Sequence, residues 1–359
     1  MNEQQVRPAR AADRLKPVAQ RNIESALARA VRSIRARALW LSRWFHLQRM
    51  RRLVIPRREF LADLKYAVDS RTGYAAGKIG RSQQHWMYYD ILLKRQTDRE
   101  EIRRFEKDLL FHALKQSGVF PEDIGFYREF NRFYIPHVKN LDCIGICFTA
   151  WEPELFRYYG IRSKPIGYPC QQPFLTVGHL PMFFKRADIA ESEGEGNGYL
   201  EYFRNKRILL VCPFAKFLKE RACKETYEAI WSKTGRKWFE PKSVEAVELP
   251  YGFEIETQKK YGTAIDLFHA VVGEIDARDF DIALIGAAGL AIPIASHIKQ
   301  TGRIGIDLGG ILQVVFGVYG KRYLERETWK RMYFNDQWAR VPDGYRPSRM
   351  DVCDGGAYW

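Results

Sequence analysis

Paired cysteines, long apolar runs and amino-terminal acids are all scarce in this sequence. Its six cysteines, at 143, 147, 170, 212, 223 and 353, form no Cys-x-x-Cys pair and no dense framework. That pattern disfavours a structural zinc site and suits reduced thiols in a cytosolic compartment. The longest uncharged apolar stretch, Ile282–Ala295, has 14 residues and is interrupted by Gly286, Gly289 and Pro293, too short and too broken to span a bilayer. No leading apolar segment precedes a cleavage-like site, so a secretory signal is not expected. A G-x-S-x-G elbow, a Walker loop and an HExxH helix are missing too, which leaves hydrolase and NTPase readings without support.

What is present is a chain of 359 residues, 46% hydrophobic and 28% charged. It is long enough for one large domain or two ordinary ones, with a sizeable core. Charge is distributed unevenly. Residues 1–58 carry fifteen Lys and Arg against Glu3, Asp13 and Glu24, a balance of +12, while the rest of the chain carries only +3. The basic character therefore belongs to an amino-terminal arm.

Residues 1–20 are polar, contain Pro8 and Pro17, and read as disordered. Ile23, Leu27, Val31, Ile34, Ala38, Leu41 and Phe45 then recur at helical spacing, with Arg29, Arg32, Arg37 and Arg43 between them and Trp40 and Trp44 alongside. This predicts a basic amphipathic helix ending near Pro56. It can pack on its own body or a partner, lie on an anionic membrane surface through residues 21–55, or bind nucleic acid. The near-neutral remainder disfavours nucleic acid, whose binders extend their basic surface beyond one arm. An Arg-rich, acid-poor start also resembles an organelle transit peptide.

Beyond Phe60 the chain alternates between apolar strands and helices. Residues 60–120 read as helical around a glycine-rich turn from Gly73 to Gly80. Leu141–Phe148, Arg207–Cys212, Phe280–Ile285 and Arg303–Leu308 read as strands. Helices are expected after Pro153, over 214–231 and over 290–301, and residues 191–198 read as a polar loop. Alternation of this kind predicts an α/β fold, a Rossmann-like parallel sheet with helices on both faces. The expected division is an arm at 1–58, a body at 59–330 and an aromatic tail at 331–359 packed on the body.

The block 280–322 reads strand, glycine turn, helix, strand and a second glycine turn. Loops after such strands face the ligand crevice, and helix N-termini there suit phosphate. The first turn is a poor dinucleotide fingerprint, because its second glycine is Ala288, so an NAD-type oxidoreductase is disfavoured. Tight-turn closure is the plain alternative for each glycine. Phe214 and Phe316 are expected in the core, with stacking on a base or sugar the minority reading.

These residues carry a resemblance. Asp281–Gly286, Gly289–Ala295, and the run from Gly302 to Arg322 through Asp307, Gly309, Gly310, Gln313, Phe316, Gly317 and Lys321 resemble a bacterial family of GT-D-type glycosyltransferase-like proteins. Ile208–Phe214 is similar to that family's strand ending in Pro-Phe, and 335–359 to its N-x-x-W…G-G-x-Y-W ending. The resemblance covers about residues 70–359 and leaves the arm outside. It implies a sugar transferase with a nucleotide-activated donor and a glycan or lipid-linked acceptor, in bacterial surface polysaccharide or glycoconjugate assembly. The implied setting is cytoplasmic, peripheral at the inner face of the membrane, with no nucleic acid partner.

One departure matters. Where the family has an acidic first turn that holds a divalent metal, this chain reads Lys78-Ile79-Gly80-Arg81-Ser82-Gln83, and a later Glu-Pro pair corresponds to Gln172-Pro173. Neutral amides are poor ligands for Mg²⁺ or Mn²⁺. No cofactor or metal site is therefore predicted, although either ion remains open. Two consequences stand side by side: Lys78, Arg81, Lys321 or Arg322 neutralise the leaving diphosphate, or transfer activity has given way to a binding or scaffold role. The expected nucleotide-sugar site comprises Lys78, Gly80, Arg81, Ser82, Gln83, Gly286, Gly289, Gly309, Gly310, Gln313, Lys321 and Arg322. Asp307 is the first candidate for the base at the acceptor hydroxyl and His85 the second. A turn cap is the plain reading of Asp307, and an ordinary hydrogen-bonded residue that of His85. Glu245 and Glu248 are weaker candidates, expected to be solvated.

Overall fold

The computed structural model describes residues 53–95, 98–147, 149, 151–167, 172–174 and 196–359, together with Phe45 and Gln48. The basic helix expected over 21–55, apart from Phe45, Gln48 and residues 53–55, lies outside the described residues, as do residues 191–195 of the polar loop and Cys170. Residues 53–359 form one compact unit.

That unit opens with α1 (Arg57–Ser70), β1 (Tyr74–Lys78), α2 (Arg81–Lys94), α3 (Arg99–Ser117) and α4 (Ile124–Asn140). Next come β2 (Cys143–Ile146), α5 (Glu152–Tyr159) and β3 (Lys164–Gly167). The second half runs β4 (Arg207–Cys212), α6 (Ala215–Arg221), α7 (Lys224–Ile230), β5 (Ser243–Glu248), α8 (Ile255–Tyr261) and α9 (Ala264–Asp276). It continues β6 (Ile282–Ile285), α10 (Ala291–Gln300), β7 (Ile304–Asp307) and α11 (Ile311–Val315). Strands β1 to β7 form one sheet in the order β3-β2-β1-β7-β6-β4-β5, every neighbouring pair parallel. The expected Rossmann-like α/β architecture is present.

Burial explains the strand sequences. Residues 143–146, 282–285 and 304–307 are buried along their whole length, as strands covered on both faces must be. The edges differ. β5 is mostly half-buried, and its Glu245 and Glu248 pair with Lys219 and Lys216. β3, at the other edge, contains Pro165, an edge-strand residue because it lacks an N–H. The Pro165 carbonyl accepts from Ile55 N at 2.8 Å.

Sequence reading placed a turn between Gly73 and Gly80, where the structure has central strand β1. Its residues, Tyr-Ala-Ala-Gly-Lys, are small for a reason. A β-carbon at Gly77 would lie 2.7 Å from Ile292, and one at Gly305 on neighbouring β7 would lie 2.9 Å from the Ala295 backbone. Helix α10 can press onto β1 and β7 only where those side chains are missing. The helix expected over 214–231 is two, broken at Ala222–Cys223. At the end of the first, Arg221 donates to the carbonyls of Phe316 and Gln337 and ties the tail to the sheet. Asn335 and Trp338 add hydrogen bonds from the tail to Ile230 O at 3.1 Å each.

The five described cysteines are unpaired, and no described helix is long and apolar enough to cross a membrane.

Candidate functional site

Strand order positions the site. From β4 the chain moves outward to edge strand β5, and from β6 it moves the opposite way to β7. Right-handed crossovers in opposite directions leave on opposite faces, so a crevice opens beyond the carboxyl ends of β4 and β6. A cavity of about 350 Å³ lies there, within the range of small-molecule sites. It draws on the ends of five strands: Lys78 from β1, Cys212 from β4, Leu249 just past β5, Gly286 just past β6, and Asp307 from β7.

Asp307 lies at its floor, 4% exposed. One carboxylate oxygen accepts from the Gly309 N–H at 2.8 Å and the other from the Lys78 N–H at 3.3 Å. Burial dominates and raises its pKa from 3.8 to about 6, against the opposing pull of the Lys78 charge and the two N–H donors. Among the described residues it is the only acidic side chain on the cavity wall, and Lys78, Arg81 and Arg322 make the wall net cationic. Arg322 is oriented by Tyr358: its guanidinium lies 4.7 Å over the ring and donates to the hydroxyl at 3.2 Å.

Helix α2 begins at the cavity. Gly80 caps it in extended conformation with no side-chain cap, so the first N–H groups have neither an intrahelical nor a capping partner. Arg81, Ser82 and Gln83 of its first turn all line the cavity. Opposite, the loop after β6 holds Ala288 at φ 45°, a left-handed conformation that L-residues rarely adopt. Phe214, Tyr251, Phe253, Tyr358 and Trp359 complete the wall, with Gln116–Gly118 from the end of α3.

Eleven of the fourteen expected residues therefore share this cavity: Lys78, Gly80, Arg81, Ser82, Gln83, Gly286, Asp307, Gly309, Gly310, Gln313 and Arg322. The other three lie elsewhere. His85 is buried and hydrogen-bonds the Arg81 carbonyl at 2.8 Å. Its ring packs 4.5 Å from His112 and 5.1 Å from Trp151, and burial pushes its pKa down to about 4. Gly289 packs against the end of α3, where a β-carbon would meet the Ser117 carbonyl oxygen at 2.8 Å. The Lys321 side chain is exposed, and its N–H binds the Trp359 carbonyl at 3.0 Å. Gln172 does not line the cavity; its carbonyl receives Arg57 at 2.8 Å.

Of the aromatic half, sequence reading raised stacking for Phe214 alone, as the minority reading; Tyr251 and Phe253 were missed, and Tyr358-Trp359 read as tail.

The residues do not fit a divalent cation. Such ions take several carboxylate or carbonyl oxygens. Here the first turn of α2, Arg81-Ser82-Gln83, supplies no carboxylate, and both Asp307 oxygens accept backbone N–H groups. Among the described residues no group of three His, Cys, Asp or Glu converges.

No described protein family matches the sequence, and none of the curated proteins is similar to it. Among solved structures, the chain is similar to one titled "A New Glycosyltransferase (DUF1792) from Streptococcus sanguinis". The two are 12% identical over 81% of this chain and 95% of that one, with a TM-score of 0.34. A likeness so remote assigns no activity.

Proposed function

We propose that the chain is a glycosyltransferase that takes its sugar from a nucleotide-activated donor and works without a divalent cation. The carrying observation is the convergence of Lys78, Arg81, Arg322 and the start of α2 on one cavity around the buried Asp307. In this reading the donor diphosphate lies against the three cations and the free N–H groups of α2. Asp307 takes the proton of the acceptor hydroxyl as its oxygen bonds to the anomeric carbon. The bond from that carbon to the diphosphate breaks, and the cations receive the negative charge released. A carboxylate with a pKa near 6 is mostly ionised at neutral pH and remains basic enough for this role.

A glycan or lipid-linked acceptor in bacterial surface polysaccharide assembly fits the family resemblance. The basic arm supports a peripheral position on the inner face of the membrane. That part is tested separately: removing residues 1–52 should abolish binding to anionic liposomes, and unchanged binding would refute it.

The central test is a thermal-shift screen of UDP-, GDP-, CMP- and TDP-sugars, each with EDTA and with Mn²⁺. A raised melting temperature indifferent to EDTA is expected; ligand at a hundredfold excess over Kd adds about 2.7 kcal/mol. Stabilisation that needs Mn²⁺ would refute the metal-free site. No shift with any donor would favour a non-catalytic scaffold built on the same fold.

A further inference from the structure

The cavity is chemically two-ended, and the sheet separates the ends. Lys78 and Arg81 stand at β1, with Asp307 beside them on β7. Phe214, Tyr251 and Phe253 stand beyond β4 and β5. Strand β5 is the third strand over from β7 and the fourth from β1. At about 4.8 Å per strand the axis of β5 lies roughly 14 Å from that of β7 and roughly 19 Å from that of β1. An extended nucleoside diphosphate spans such a gap, whereas a lone phosphate or sugar does not.

Phe214 and Phe253 are buried, while Tyr251 is half-buried. Its hydroxyl donates to the Tyr345 carbonyl at 3.0 Å and accepts from Trp359 Nε1 at 3.0 Å. The ring is braced edge-on by Trp359 at 5.4 Å and flanked by Phe253 at 5.5 Å. The next residue pins the loop: a β-carbon on Gly252 would fall 1.9 Å from the Gly118 carbonyl oxygen, so two backbones touch there. With its hydroxyl engaged and its ring braced by Trp359 and Phe253, Tyr251 is a fixed aromatic group on the cavity wall. Faces bind planar groups by stacking.

We infer that Tyr251, held by Trp359, is the stacking platform for the nucleobase of the donor, with the diphosphate running from it toward Arg81 and Lys78. The inference rests on the proposed donor class. The sugar is excluded from the platform because it must lie at Asp307, where the acceptor proton is taken.

The test compares nucleoside diphosphates (UDP, GDP, CDP, ADP) with inorganic pyrophosphate, titrated calorimetrically into the wild type, Tyr251→Phe and Tyr251→Leu. Alanine substitution of stacking aromatics weakens a base by about 5- to 150-fold. Tyr251→Leu should lose affinity for the best nucleoside diphosphate in that range and keep its pyrophosphate affinity. Tyr251→Phe keeps the ring and should stay within about threefold of wild type. Arg81→Gln should weaken both ligands. Should Tyr251→Leu fail to fold, photocrosslinking of the azido-base form of that nucleotide to wild type should label the peptide carrying Tyr251.

Several results would overturn the platform while leaving a diphosphate site intact. They are equal loss of both ligands in Tyr251→Leu, label elsewhere, or pyrophosphate binding as tightly as every nucleotide. Binding of neither ligand to wild type would overturn the donor class, and the platform with it.

Discussion

Replacing Asp307 by Asn isolates the energetics of a buried carboxyl at the cavity floor. A carboxyl whose pKa is 3.8 when exposed and about 6 when folded holds its proton more tightly in the native state. Below the lower value both states are protonated and the group is neutral to stability. As pH rises through the window between them, the unfolded chain ionises first and folding loses free energy. Above about 6 the loss is complete, at about 3 kcal/mol. Asparagine cannot ionise, so it escapes this penalty. It does carry a cost of its own. Two N–H groups, from Lys78 and Gly309, point at the carboxylate, and an amide offers one oxygen for them. A donor facing a donor costs about 1–3 kcal/mol at every pH. Asp307→Asn is therefore expected to be less stable than wild type near pH 4 and to gain on it by about 3 kcal/mol by pH 7.5. Urea melts of both proteins across that range measure the difference. A constant difference would mean that Asp307 titrates near its ordinary value. A difference of opposite sign would mean that the Lys78 charge outweighs burial. The same group should set the acidic limb of kcat/KM, with activity falling below about pH 6.

Three glycine and alanine positions test the packing around the cavity. Gly310→Ala would place a β-carbon 2.7 Å from the Tyr358 ring and 2.9 Å from the Tyr323 hydroxyl. A loss of about 1–3 kcal/mol in urea melts is expected, and a smaller loss would show that Tyr358 moves aside freely. Gly252→Ala sets a β-carbon against the Gly118 backbone and should cost about 3 kcal/mol or more, because neither strand end nor helix end can yield like a side chain. Ala288→Gly relieves a left-handed alanine at φ 45°, worth about 1–2 kcal/mol, against about 0.5–1 kcal/mol of added unfolded-state freedom. Stability should hold or rise by about 1 kcal/mol, and a clear loss on denaturant melting would contradict strain at that loop.

Strands were legible where both faces are covered by bulky residues. β2, β4, β6 and β7 announce themselves as runs such as Ile-Ala-Leu-Ile, because a fully buried parallel strand has no polar face. β1 is as buried but hides its nature, since close approach by α10 demands Ala and Gly in place of branched side chains. β3 and β5 are edges, where proline and ion-paired glutamates dilute the signal. In the site, the cationic half follows from two chain segments whose glycine turns end strands. His85 lies within a turn of Arg81, Ser82 and Gln83 yet rotates away into the His112–Trp151 cluster. Lys321 and Arg322 are adjacent, and backbone pairing with Trp359 and Ala357 fixes both; only the Arg322 side chain joins the cavity. The aromatic half was illegible because positions 214, 251, 253, 358 and 359 meet only through the sheet order.

The first turn of α2 also has an electrostatic logic within the cavity. A divalent ion needs carboxylates to offset its desolvation and its repulsion from neighbouring cations. Placed here it would face Lys78, Arg81 and Arg322, with Asp307 the one acidic side chain among the described residues of the wall, and that carboxylate already accepts two N–H groups. An arginine in that turn is thus more than a missing ligand. It brings a fixed charge and a planar fork to the start of α2, where the helix dipole favours an anion. Placing an acid there by Arg81→Asp should therefore remove diphosphate binding, and Mn²⁺ should not bring it back, because Gln83 supplies no second carboxylate. Calorimetry with pyrophosphate, with and without Mn²⁺, reads this directly. Recovery of binding by the metal would show that one carboxylate suffices and that the cationic wall is incidental.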